Sequence, residues 1–138
     1  MSDIRPPEKL SFFIGGYMGV SHRVEWNGAA LEYQLFERHY STKEFDLFVP
    51  SPVFWVDFWN SIRRIGVTNW KPHYEDSTIL DGTHWKLELV WSDISILSEG
   101  SNEYPDGFGN PIGSSGGSNA MDAFCRALGR LLGGKEVS

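Results

Sequence analysis

The sequence predicts an α+β domain: an antiparallel sheet of about five strands carrying two amphipathic helices on one face, in the order βββ-α-ββ-α. Three observations predict it. Apolar residues alternate with polar ones from Leu10 to Leu35 and again from Trp85 to Trp91, the two-residue period of half-buried strands. Two later segments place apolar residues three and four apart, the period of a helix. The chain has 138 residues, the usual size of a single domain, so one domain over 1–138 is expected.

Residues 1–9 are polar and carry Pro6-Pro7, which reads as a flexible tail without the apolar core of a secretory leader. Leu10, Phe12 and Ile14 then share one face of a strand that Gly15-Gly16 bends or bulges. Val20, His22, Val24 and Trp26 alternate with Ser21, Arg23 and Glu25 up to Asn27-Gly28, a strong hairpin signal. Beyond it Leu31, Tyr33 and Leu35 continue the pattern, so residues 11–38 read as a three-stranded meander.

Ser51-Pro52 has the form of an N-cap followed by a proline at the first helical position, where a missing N–H costs nothing. Phe54, Phe58, Ile62 and Ile65 form a stripe flanked by Trp55 and Trp59, with Arg63-Arg64 and Gly66 closing a helix over about 52–65. Residues 67–83 are rich in turn formers and read as a loop ending at Asp81-Gly82. Trp85, Leu87, Leu89 and Trp91 then face inward, and Ser92-Asp93 turns into a strand through Ile94 and Ile96. A Gly/Ser-rich loop over 106–118 precedes a helix of about 119–132, with Ser118 as its N-cap, Met121, Phe124, Leu128, Leu131 and Leu132 as its stripe, and Gly133-Gly134 as its end.

Composition narrows the function. The net charge is −6 and the sequence pI about 5.1, which argues against binding to nucleic acid or an anionic membrane and suits a basic protein partner. Aromatic residues make up 14% of the chain, far more surface than a disordered chain carries. The lone Cys125 cannot form an internal disulfide, and no apolar run approaches a bilayer span; a cytoplasmic protein is expected.

No catalytic set, metal site or cofactor site emerges. Gly113-Ser114-Ser115-Gly116-Gly117 matches the nucleophile-elbow spacing, but every histidine (His22, His39, His73, His84) lies upstream, against the order that elbow requires. The same loop lacks a P-loop lysine and reads as plain loop. His84 and Glu88 share a strand face with Lys86 between them, the wrong neighbour for a metal. Cys125 borders the apolar stripe and reads as an inert buried thiol. Glu75-Asp76 and Glu103/Asp106 are adjacent loop acids, which read as solvated. His22 stands out because alternation puts its imidazole among apolar neighbours, where it needs a hydrogen-bond partner.

The segment Asp81-Gly82-Thr83-x-Trp85-x-Leu87-Glu88, followed by Gly100-x-Asn102-x-Tyr104-Pro105 and an apolar helix, resembles a group of small uncharacterised bacterial proteins. They share a D-G-T-x-W-x-[LIV]-E strand entry and a G-x-N-x-Y-P turn, and the likeness covers about residues 53–132. The resemblance implies no activity and carries over no site residue. Taken as structure, the motif makes a turn into a strand, points Trp85 and Leu87 into the core, and covers the sheet edge with Tyr104-Pro105.

The expected function is therefore non-enzymatic: a bacterial protein-binding domain, of the kind an immunity protein or antitoxin provides, held against a basic partner. Trp70, His73, Tyr74, Glu75 and Asp76 form the expected contact loop, as exposed aromatics beside acids. The alternatives are a small-ligand binder or enzyme with a pocket between sheet and helices near His22, Asn102 and Tyr104, or a structural subunit of a larger assembly.

Overall fold

A computed structural model describes residues 5–16, 19–75, 82–106, 108–111 and 119–137. Alternation in the N-terminal third produces β1 (Lys9–Gly15), β2 (Ser21–Trp26), β3 (Leu31–Glu37) and then β4 (Ser41–Phe48). Helix α1 (Pro52–Ile65), the three-residue strand β5 (His73–Glu75), β6 (His84–Trp91), β7 (Ile94–Ser101) and helix α2 (Asn119–Leu131) follow. They build one seven-stranded sheet in the order β4-β3-β2-β1-β6-β7-β5. Every neighbouring pair is antiparallel except β5 and β7, which run parallel.

This corrects the expected five-stranded antiparallel sheet of order βββ-α-ββ-α: the sheet has seven strands and is mixed. Two strands account for the difference. β4 reverses the usual pattern, because its helix-side positions are Glu44, Asp46 and Phe48, paired with Leu35, Tyr33 and Leu31, while Phe45 and Leu47 face away. β5 lies in the span expected to be a loop, and its three residues are too few to show a period. The remaining elements fall where periodicity put them, α1 to the residue.

Local details differ instructively. The β2–β3 connection spans residues 27–30: Asn27 Oδ1 accepts the N–H groups of Ala29 and Ala30, both at 2.8 Å, giving a wider loop than Asn-Gly alone suggests. Ser51 holds the N-cap position with its carbonyl, which accepts from Phe54 N–H at 3.0 Å, while its hydroxyl makes no capping bond. The inward stripe of α1 runs through Trp55, Phe58 and Ile62, leaving Phe54 exposed, because turning the bulkier Trp55 inward buries more apolar area. Ser118 and residues 112–117 lie outside the described residues. Of the tail expected over 1–9, Lys9 already belongs to β1; the Arg5 carbonyl accepts the Trp91 indole N–H at 2.8 Å, and the Glu8 carboxylate accepts Ser92 N–H at 2.8 Å.

The core lies between the sheet and the helices and is a run of touching rings. Trp26 meets Trp55, Trp55 meets Trp91, Trp91 stacks on Phe58, and Phe58 meets Phe124. Phe124 in turn touches Phe12 and Trp70, and Trp70 continues to Trp85. Most pairs are edge-to-face, the geometry ring quadrupoles prefer. Gly66, at φ 87°, ends α1 with its N–H on the Ile62 carbonyl and lets the chain return toward this cluster.

Candidate functional site

The inward residues of β1 to β4 become more polar toward the β4 edge, passing from Phe12 through His22 and Tyr33 to Glu44 and Asp46. A cleft of about 720 Å³ opens over this region. Its floor includes Ile14, His22, Tyr33 and Leu35, and Glu44 stands on the β4 side. Met121 and Asp122 enter from the first turns of α2, Thr83 and Tyr104 from the segments flanking β6 and β7, and Lys135 and Glu136 from the chain after α2.

A hydrogen-bonded chain fixes the chemistry of the floor. The Tyr33 hydroxyl donates its one proton to the Glu136 carbonyl at 3.0 Å. His22 Nδ1 sits 3.2 Å from the Tyr33 hydroxyl oxygen, so it must be the donor in that pair. The imidazole is thereby held as the Nδ1–H tautomer, and Nε2 carries a lone pair with no hydrogen-bond partner among the described residues. Burial pulls the His22 pKa below the ordinary imidazole value, with the Glu136 carboxylate opposing in part, so the ring is neutral at pH 7.

Lys135 organises the β4 side. Its ammonium bonds the Glu44 carboxylate, lies 2.9 Å from Asp46, and sits over the Tyr33 ring at 5.5 Å from the centroid. Those carboxylates raise the lysine pKa, and the bond from Lys135 holds the Asp46 pKa below its ordinary value. Lys135 is the only cation lining the cleft among the described residues, and it is engaged there; Asp122 and Glu136 add further negative charge.

Of the expected pocket residues, the fold brings His22 and Tyr104 together but leaves Asn102 out of the cleft lining. Asn102 follows β7 at φ 57°, donates its N–H to the Thr83 carbonyl at 2.9 Å, and occupies the space where a side chain at residue 82 would stand. The expected contact loop is corrected more sharply. Trp70 and Tyr74 are 6% and 3% exposed; Tyr74 donates to the Gly109 carbonyl at 2.6 Å, and both rings pack on Trp85. His73 and Glu75 are exposed, with His73 3.4 Å from Glu75 and 3.9 Å from Glu99. Asp76, like Asp81 and the Gly113–Gly117 motif, lies outside the described residues.

Sequence reasoning missed Tyr33, Glu44, Asp122, Lys135 and Glu136. The available signal was β4 itself, whose acids alternate with Phe45 and Leu47; the C-terminal Lys135-Glu136 gave none, because its place depends on how α2 docks.

The two motifs interlock. Gly100 leaves room for the Trp85 indole, which donates across β7 to the Glu103 carbonyl at 2.9 Å. The Tyr104 hydroxyl meets the Thr83 side chain, so each motif lends one residue to the cleft wall. Asp106 Oδ1 accepts N–H bonds from Phe108 (2.7 Å) and Asn110 (2.9 Å), which lower its pKa and mark it as a turn-capping acid. Cys125 is buried in α2, and His84 Nδ1 is 2.8 Å from Ser101 Oγ. Among the described residues no group of three or more metal-ligating side chains converges, and no helix is long and apolar enough to cross a membrane. No family model, curated protein or solved structure matches the chain.

Proposed function

We propose that the protein is a non-enzymatic, cytoplasmic binding domain of the bacterial immunity-protein or antitoxin kind, and that a basic partner protein engages it at the cleft rather than at residues 70–76. The observation that carries this reading is the cleft lining: carboxylates of Glu44, Asp122 and Glu136 around apolar walls, with Lys135 engaged by Glu44 and Asp46. Such a rim attracts a cationic surface and repels an anionic one, and low-dielectric walls strengthen the effect.

The test is affinity purification from the cytosol of the source organism at low and high salt. The expected result is a stoichiometric basic protein, released by salt, retained by Glu75→Lys and lost with the Asp122→Lys, Glu136→Lys pair. A complex that survives the cleft pair and is lost with Glu75→Lys returns the contact to the β5 edge and overturns the reading. A second reading, a small-ligand site in the same cleft, is favoured by its volume, which lies within the usual range for small-molecule pockets of about 300–1,000 Å³. A thermal shift with a metabolite library and no captured protein would select it.

A further inference from the structure

We propose that the β4 edge takes an extended segment of a partner protein, one in which basic and apolar residues alternate, as an eighth strand of the sheet. The inference rests on the basic partner proposed above and names the way it docks; Glu44 belongs both to the cleft and to this edge.

β4 is the last strand of the sheet and pairs with β3 alone among the described residues. Every second residue of such a strand turns its N–H and C=O away from its neighbour, so a row of backbone donors and acceptors faces out. The opposite edge is β5, whose three residues are too few to offer such a row. On β4 the register shift between Leu35 and Phe36 leaves Lys43 without a partner, as a bulge. Residues 44–48 then run in regular register opposite residues 31–35, which gives about 17 Å of straight ladder.

The side chains choose the occupant. Toward the helices the edge shows Glu44 and Asp46, whose two carboxylates share Lys135. Toward the other face it shows Phe45 and Leu47, both at least half exposed. A strand laid alongside sends alternate side chains to the two faces, so a cation on the helix side and an apolar group on the other match each pair. A second copy of the chain does not match. A two-fold axis that pairs β4 antiparallel with itself keeps the helices of both copies on one side, so even-numbered residues meet even-numbered ones. Glu44 and Asp46 then come up against those of the other copy, and each copy carries a net charge of −6. The acids that bar self-pairing at an open edge are the ones that admit a basic strand.

The probe is a capped six-residue peptide alternating lysine and valine, titrated into the full chain and followed by NMR. Saturable shifts centred on the amides of residues 44–48 are expected, with slower hydrogen exchange at those that face outward. Three control peptides should each bind at least tenfold more weakly. One has the lysines and valines in two blocks, one has glutamate for lysine, and one is methylated on every backbone nitrogen, which keeps the charges and removes the ladder. Asp46→Lys should weaken binding at least tenfold. Leu47→Lys, at an exposed position that guards against misfolding of the first variant, should weaken it at least threefold. Glu75→Lys, a charge reversal on the opposite edge, should leave it unchanged.

Equal binding of the block or methylated peptide, shifts centred elsewhere, or no saturation below about 1 mM would overturn the proposal. A doubled mass with protected β4 amides in the free chain would also overturn it, in favour of a second copy. A captured basic protein that protects the same amides upholds both the edge and the partner reading. Peptide binding where no protein is captured upholds the edge and sinks the protein-partner reading alone. A captured protein without peptide binding does the reverse.

Discussion

The two ends of the sheet are covered by different means. Over β1 and β6 the two helices press aromatic side chains onto Phe12 and Trp91, Trp70 and Tyr74 pack on Trp85, and the interface is apolar. Toward the β4 edge the cover passes to the short stretch after α2, and Tyr33, Glu44 and Asp46 meet Lys135 and Glu136 instead. The contrast separates two jobs. Ring packing holds the fold, and the polar end, which a few hydrogen bonds pin but do not fill, is where the proposed partner would dock.

On that division, damage at the apolar end should be read in stability and damage at the polar end in binding. The largest expected effect is Phe124→Ala. Phe124 is fully buried against Phe12, Phe58 and Trp70, and its loss should cost about 3–5 kcal/mol in urea unfolding. A cost under about 1 kcal/mol would mean that the ring cluster is not what holds the helices down. Next comes Gly100→Ala. The added methyl would stand 2.7 Å from Trp85 Cε2, forcing the indole off the Glu103 carbonyl, and should cost about 1–3 kcal/mol by the same assay. A neutral result would show that the indole can shift freely and would remove the structural reason for a glycine two residues before Asn102.

The same contrast explains what was legible in the sequence. At the apolar end the strand and helix side chains follow their element's period, so Trp85, Leu87, Leu89 and Trp91 and the stripe of α2 could be read directly. Trp70 and Tyr74 could not. They sit in a turn-rich stretch, where aromatics beside acids look exposed, and only the parallel pairing of β5 with β7 carries Tyr74 into the core. At the polar end the local pattern contradicts the tertiary answer. β4 turns Glu44 and Asp46 toward the helix side and leaves Phe45 and Leu47 50% and 59% exposed, an arrangement that makes sense only once Lys135, far along the chain, is in place. His22 was legible because it broke an apolar alternation, and its partner Tyr33 was hidden because it did not.

A smaller effect tests the tautomer at the cleft floor. In the unfolded chain His22 titrates at its ordinary value of 6.5, whereas in the folded chain burial keeps it neutral to lower pH. Between those two values the unfolded state holds the extra proton, so stability falls as pH drops through the window. His22→Gln cannot titrate, and its unfolding free energy should change less than the wild type's between about pH 7 and pH 5. Equal slopes for the two proteins would show that another group controls the acid side.

The smallest stability effect, and the finest test of the division, is Lys135→Met. The lysine is partly exposed, so water screens its ion pairs and thermal stability should barely move. Its electrostatic role should still be plain. With Lys135 present, Asp46 keeps a lowered pKa, and the stability this contributes is present above the ordinary carboxylate value of 3.8 and fades as pH falls through the lowered one. Removing the ammonium leaves Glu44 and Asp46 beside one another without their cation, so the Asp46 pKa should rise in an NMR titration. The cleft should also become more negative, and the basic partner proposed above should bind more tightly than to the wild type. Weaker binding would show that Lys135 holds the cleft open, and that the polar end is built for shape as much as for charge.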